Sequence, residues 1–277
     1  MKYTSPKYIK QILEERGFSP LKKFGQNFLI DENIVKKIIR IAKPKDMNLI
    51  EIGPGLGALT SHLLVDSKKL VAVEIDKGFY SYLDKEFSDR KNFKVINADV
   101  LDVNIEDICS EEFGKDEIIL AANLPYYITS ACIMKFLKAN INIVRIVVMV
   151  QKEVASRLCA KPKTSDYGAL SVIVEYFGKA KVETIVSGNC FLPRPDVDSA
   201  VVSIEIEKKR DVEADKFIGF VRECFAMKRK TVMNNLKKAG YERGKIAKAL
   251  LQNHIKENAR AEELEKKDFI SLINSLT

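Results

Sequence analysis

Asn123-Leu124-Pro125-Tyr126 stands directly after an apolar run, Ile118–Ala122, that reads as a β-strand. The side-chain carbonyl of Asn123 and the backbone carbonyl of Leu124 are two neighbouring acceptors, able to take both N–H bonds of a primary amine. An aromatic amine such as adenine N6 is a poor nucleophile, because its lone pair is delocalised into the ring. Holding both N–H bonds draws the nitrogen toward tetrahedral geometry and frees that pair. Pro125 fixes φ and has no N–H to compete, and the Tyr126 ring offers a face to a base taken out of its stack. A methyl carried on a sulfonium is already a good electrophile, so alignment and electrostatics would carry the rate without a strong base. The same four residues would also make an ordinary Asn-x-Pro turn.

A second group of residues points to a nucleoside. Gly53-Pro54-Gly55-Leu56-Gly57 follows the strand-like Leu49–Ile52, and Glu74 closes the next such run, 21 residues after Gly53. Glycines there allow a tight turn and close approach of backbone to ligand, and a carboxylate at Glu74 can accept both ribose hydroxyls. Gly53-x-Gly55-x-x-Ala58 also fits the dinucleotide pattern, so the spacing leaves S-adenosylmethionine and a nicotinamide dinucleotide both open. A dehydrogenase would need a proton relay, and neither histidine, His62 or His254, nor any Tyr-x-x-x-Lys pattern is suitably placed. Asp99, in Asn97-Ala98-Asp99-Val100, could accept an adenine amine or simply cap a turn.

The elements that would position these residues alternate in type. Asp31 reads as an N-cap for a helix through Ile34, Val35, Ile38 and Ile39. Helices through Leu59, Leu63 and Leu64 and around Phe79–Leu83 separate the first three strands. Further strands are expected at Phe93–Ile96, Ile146–Val150, Val182–Val186 and Ala200–Ile206. This alternation predicts an α/β fold, a Rossmann-like domain with a mostly parallel sheet. After Lys208-Lys209-Arg210-Asp211 the pattern changes. Phe217, Phe220, Val221, Cys224 and Phe225 form the stripe of an amphipathic helix, and no strand pattern follows. The expected division is residues 1–207, including a basic N-terminal arm over 1–30, and a small all-helical domain over 208–277.

Composition narrows the classes. The chain has 277 residues, 46% hydrophobic and 30% charged, with a net charge of +8. Residues 208–277 carry a local +7 and residues 1–30 a local +4, against −3 in between. Basic ends around a near-neutral body suit a polyanion held by its backbone; a solvated lysine-rich surface is the plainer reading. Lys228-Arg229-Lys230 divides in the same way, between RNA clamp and solvated helix end. The five cysteines form no C-x-x-C pair, which argues against a zinc site or a disulfide framework. No apolar run is long enough to span a bilayer, and no secretory signal is evident, so a cytoplasmic protein with no membrane partner is expected. With no extra apolar stripe to suggest an interface, the expectation is a monomer.

The ordered motifs resemble those of the bacterial small-subunit ribosomal RNA adenine dimethyltransferases, the kasugamycin-sensitivity family. The likeness runs through Phe24-Gly25-Gln26-Asn27-Phe28-Leu29, Glu51–Gly57, Asn123–Thr129, Gln151-Lys152-Glu153-Val154, Tyr167–Val172, Phe191-x-Pro193-x-Pro195-x-Val197-Asp198-Ser199 and Arg229-Lys230-Thr231. Asp196 departs from the pattern, where lysine is commoner. The resemblance implies S-adenosylmethionine as cofactor, held by Asn27, Leu29, Gly53, Gly55, Glu74, Asp99 and Asn123. It implies that Asn123, Leu124 and Tyr126 present the target amine and that Phe191 stacks on the base from the other side; by itself a phenylalanine before Pro193 reads as core. It further implies N6,N6-dimethylation of two adjacent adenosines near the 3′ end of small-subunit RNA, a role in late subunit assembly, and RNA docking by the basic helical domain. Two neighbouring readings are a resistance-type relative acting on the large subunit, whose glycine turn usually carries a lysine where this chain has Leu56, and an RNA-binding assembly factor with a vestigial methyl site.

Overall fold

A computed structural model of the chain describes residues 2–17, 27–208 and 211–276. Phe24-Gly25-Gln26 of the first motif, Lys22 and Lys23 of the arm, and Lys209-Arg210 of the expected linker lie outside the described residues. The strands, in chain order, are β1 (Phe28–Leu29), β2 (Asn48–Ile52), β3 (Lys69–Glu74), β4 (Phe93–Asn97), β5 (Ile118–Asn123), β6 (Ile143–Gln151), β7 (Gly178–Val186), β8 (Phe191–Leu192) and β9 (Ser199–Ile206). Seven of them form one sheet in the order β4-β3-β2-β5-β6-β9-β7, and β1 pairs with β8 apart from it.

Strands β2 to β6 are mutually parallel wherever they pair, and β9 runs antiparallel to β6. All five residues of β2 are buried, and so are five of the six in β3 and in β5. Continuous burial is what a strand covered by helices on both faces requires. Strand order reverses at β2: its chain successor β3 lies on one side and β5 on the other. Ligand crevices of such sheets open at the carboxyl ends beside that reversal.

The helices in chain order are α1 (Pro6–Glu15), α2 (Glu32–Ala42), α3 (Thr60–Asp66), α4 (Lys77–Glu86), α5 (Ile105–Phe113), α6 (Thr129–Lys138), α7 (Lys152–Leu158), α8 (Ala169–Phe177), α9 (Ala214–Cys224), α10 (Val232–Lys238), α11 (Arg243–Gln252) and α12 (Lys266–Leu276). Asp31 caps α2 as expected, accepting from the N–H groups of Asn33 (2.8 Å) and Ile34 (3.4 Å), and Asp76 caps α4 in the same way. The described part of the basic arm, residues 2–17 and 27–30, is built in. Ser5 and Pro6 start α1, whose Ile9 and Ile12 are buried in the same apolar cluster as Leu63 and Phe87. The Tyr8 hydroxyl meets that of Tyr82 at 2.8 Å.

The chain divides into two compact units, Met1–Ala155 with Lys181–Ile206, and Ser156–Ala180 with Glu207–Thr277. The second therefore takes in a segment that a single boundary at residue 207 leaves with the sheet. Packing within that unit explains it. Tyr176 of α8 stacks on Phe217 of α9 with ring centroids 4.1 Å apart, and the Tyr167 hydroxyl donates to the Leu264 carbonyl at 2.8 Å. The α9 stripe is buried at Phe217, Phe220, Val221 and Cys224.

Phe217 is wholly buried, so Phe217→Ala should destabilise the helical unit by about 3–5 kcal/mol. Urea titration followed by circular dichroism would show it; a shift under about 1 kcal/mol would mean that α8 and α9 do not share this core.

Candidate active site

The carboxyl edge of the sheet holds a cavity open to solvent, lined from β1, β2, β3, β5 and the loops that follow them. Its floor is the glycine turn. Gly53, Gly55 and Gly57 all have positive φ, at 64°, 57° and 83°, a region that side chains with a Cβ resist. At Gly57 there is also no room, since a Cβ would lie 2.9 Å from the Phe87 ring.

Glu74, at the end of β3, is 3% exposed and faces this cavity. Its two oxygens accept backbone N–H groups from Gly55 (3.1 Å) and Asp76 (2.9 Å). Burial pushes its carboxyl up to about 7 against the pull of those hydrogen bonds. Asp99 also lines the cavity. Its Oδ1 accepts the Leu101 N–H at 2.8 Å, so the turn role and the cavity position both hold, one carboxylate oxygen serving the turn.

Asn123 closes β5, and its Nδ2 donates to the Asn27 carbonyl at 3.1 Å. That bond fixes which end of the amide is nitrogen, and it commits the side-chain oxygen as the acceptor left for a ligand. The Leu124 N–H is taken by the Met149 carbonyl at 3.1 Å. No donor among the described residues takes the Leu124 carbonyl. Tyr126 lines the cavity with its hydroxyl 2.7 Å from the buried Ser199 Oγ. The ring is held at its polar tip and keeps its face for packing.

Nine of the ten residues predicted for the site line this one cavity: Asn27, Leu29, Gly53, Gly55, Glu74, Asp99, Asn123, Leu124 and Tyr126. Phe191 does not. It is 3% exposed, sits in the apolar cluster and pairs with Leu29 across the β1–β8 ladder. The core reading of Phe191 describes its place here, and the aromatic exposed at the cavity wall is Tyr127. Among the lining residues that were not predicted, Tyr3 and Glu51 bring titratable groups. Tyr3 arrives from the N-terminal segment, and nothing in its local sequence marks it. Glu51 could have been found: it is the one acid inside the apolar run Leu49-Ile50-Glu51-Ile52, and continuously buried strands exclude unpaired charge. Glu51 is 1% exposed, its Oε2 accepts from Thr60 Oγ1 at 2.7 Å, and burial pushes its carboxyl up to about 8, with Glu74 adding to the rise.

No lysine, arginine or histidine lines the cavity among the described residues. A pocket whose charged lining groups among the described residues are all acids, one of them hydrogen-bonded to the glycine turn, fits a cationic nucleoside better than a dinucleotide pyrophosphate. Together with the sheet order, this places the molecule among the Rossmann-like methyltransferases. The chain belongs to the ribosomal RNA adenine dimethylase family, whose profile matches residues 17–277. Its relatives include the ribosomal RNA small subunit methyltransferase A of a Geobacillus species, 43% identical over 98% of this chain and 97% of that protein. The Clostridioides difficile protein of the same name is 39% identical over 96% and 93%. Among solved structures, a dimethyladenosine transferase from Plasmodium falciparum aligns with a TM-score of 0.76 at 28% identity, over 88% of this chain and 95% of that one. The 23S rRNA methyltransferase ErmE aligns at 0.69 and 25%, over 90% and 99%. The chain is thus an S-adenosylmethionine-dependent RNA methyltransferase.

The buried acids set a pH dependence. Glu51 and Glu74 have folded values raised above their ordinary 4.5. The stability they lend is therefore full below pH 4.5 and is lost as pH rises through about 7 and 8. The melting temperature of the cofactor-free protein should fall between pH 5 and 8, and Glu51→Gln should fall less steeply. Equal slopes for the two proteins would show that Glu51 does not titrate in that window.

Proposed function

We propose that this protein transfers methyl groups to N6 of two adjacent adenosines near the 3′ end of small-subunit ribosomal RNA, giving N6,N6-dimethyladenosine. The observation that carries the reading is the pair of acceptors at the end of β5. Asn123 Oδ1, oriented by the Asn27 carbonyl, and the neighbouring Leu124 carbonyl suit the two N–H bonds of an adenine amine. The roughly 40% identity to proteins named for the small subunit favours that RNA over the large subunit.

S-adenosylmethionine supplies a methyl already activated by its sulfonium. The chain's own residues do the rest. Glu74 would accept from the ribose and Asp99 from the cofactor's adenine amine, and Asn27, Leu29 and the glycine turn would hold the cofactor in the cavity they line. Asn123 and Leu124 would hold the target amine by its two N–H bonds, and Tyr126 would stack on the target base. Orientation supplies most of the acceleration. The proton displaced from the amine leaves to water once the methylated nitrogen has become acidic. For Phe191 we propose a positioning role, holding β1 and thereby Asn27 and Leu29 at the cavity.

The sheet unit serves as the methyl-transferring part and the helical unit as the RNA grip. The turn after α9 exposes Lys228, Arg229 and Lys230. It is pinned from beneath by the buried Asn235, which accepts from the Met227 N–H at 3.0 Å and donates to the Cys224 carbonyl at 2.7 Å. Cations held this way suit phosphates. The reading extends to a monomer acting in the cytoplasm, where ribosomal subunits assemble, and contributing to late small-subunit assembly. No helix among the described residues is long and apolar enough to cross a membrane.

Nucleoside mass spectrometry of unmethylated ribosomes, incubated with the protein and S-adenosylmethionine, tests the reading. Dimethyladenosine is expected on the small-subunit RNA; its appearance only on large-subunit RNA, or on neither, would refute it. Asn123→Ala should keep RNA binding and lose at least about 100-fold in turnover, on the order of 3 kcal/mol of transition-state positioning. Unchanged turnover would sink the acceptor mechanism.

A further inference from the structure

The N-terminal segment supplies a wall of the cavity that the chemistry of methyl transfer does not account for. Tyr3 lines the cavity, and it also lines a neighbouring hollow with Lys2, Ser61, Leu64, Phe87 and Arg90. Its ring is a partition with open space on both sides, so its place depends on its neighbours and its anchors. The neighbour is Phe87, whose ring centroid lies 5.6 Å from that of Tyr3 at an interplanar angle of 33°. Phe87 in turn backs the glycine turn, since a Cβ on Gly57 would lie 2.9 Å from its ring.

The anchors are polar. The Tyr3 hydroxyl donates to Glu86 Oε1 at 2.8 Å, and the same carboxylate pairs with the Lys2 ammonium. That ammonium stands 4.8 Å from the Tyr3 ring centroid and 5.5 Å from that of Tyr8, within reach of cation–π attraction. The Thr4 hydroxyl donates to Glu32 Oε2 at 3.1 Å, and Thr4 is buried. Terminal residues are poorly ordered unless tied down; here three consecutive ones are fastened to the end of α4 and the start of α2.

We propose that Tyr3 is a positioning residue for the cofactor: its ring braces Phe87 behind the glycine turn and shuts the cavity off from the hollow beside it. The backbone of the turn then meets the cofactor already ordered. A turn left to be ordered on binding would cost affinity. Tyr3 acts through Phe87 and Gly57 and takes no part in the transfer itself. The proposal rests on S-adenosylmethionine being the cofactor.

Isothermal titration calorimetry with S-adenosylmethionine tests this without any turnover. Tyr3→Ala, which removes the ring and its brace, should raise the Kd about tenfold. Tyr3→Phe keeps the ring and should stay within about threefold of the wild type. Phe113→Leu, a buried change on α5 that lines neither space, measures the effect of general loosening. An unchanged Kd in Tyr3→Ala, or an equal rise in Phe113→Leu, would overturn the proposal. Tyr3→Phe binding as weakly as Tyr3→Ala would also overturn it, because the ring would then brace nothing. Should Tyr3→Ala fail to fold, amide hydrogen exchange of the wild-type protein still decides. The cofactor should slow exchange over residues 2–9 as well as over the glycine turn; no slowing over residues 2–9 would be fatal. Absence of any binding by the wild-type protein would instead overturn the cofactor assignment and this proposal with it.

Discussion

The reversal of strand order at β2 is the constraint on which the site depends. Parallel strands are joined by right-handed crossovers, so helices that follow β2 and β3 on one side and β5 on the other must leave on opposite faces of the sheet. The carboxyl ends of β2 and β5 are thereby left with a gap that no connection fills. The glycine turn, Glu74 and the Asn-Leu-Pro-Tyr turn stand at the ends of three different strands, and all open into that gap. Each motif is local, and the topology makes them one site.

Building a cationic nucleoside site this way means burying acids. Glu51 and Glu74 stand where apolar side chains would stabilise the sheet more. The chain contains the cost with short-range partners: Thr60 for Glu51, and the Gly55 and Asp76 N–H groups for Glu74. The glycines that let backbone donate to Glu74 are the same ones that let it approach a ligand. Support from farther along the chain is as definite. Asn27 orients Asn123 across 96 residues, and Ser199 anchors Tyr126 across 73.

Charge is unevenly distributed along the chain. Basic residues concentrate in residues 208–277, and on the α9–α10 turn three of them are exposed over a buried asparagine clip. Under the proposed function, sequence-independent phosphate contacts there would hold a nucleic acid in register without reading it and would leave the choice of adenine to the cavity. Arg229 takes a left-handed φ of 66° in that turn, a conformation that the side chain of Asn235 helps to hold through its bonds to Met227.

What the sequence determined by itself is what local chemistry dictates. Alternating apolar runs and helical stripes placed the seven sheet strands, because burial on both faces leaves a continuous apolar signature at Leu49–Ile52 or Ile118–Ala122. Caps such as Asp31 and the glycine turn were legible because φ, ψ and hydrogen-bond needs are properties of a few adjacent residues. Nine of the ten predicted site residues were legible for the same reason, each lying in a motif at a strand end. Tertiary structure decided the rest. Phe191 could stack on a base or pack in the core, and only its pairing with Leu29 across the β1–β8 ladder put it in the core. Tyr3 joined the cavity because α1 docks through Ile9, Ile12 and Tyr8, contacts with residues some 50 to 80 positions away that no local pattern encodes. Residues 156–180 went to the helical unit because Tyr176 found Phe217. A side chain's periodicity tells which face is apolar; which partner covers that face is settled only when the chain folds back on itself.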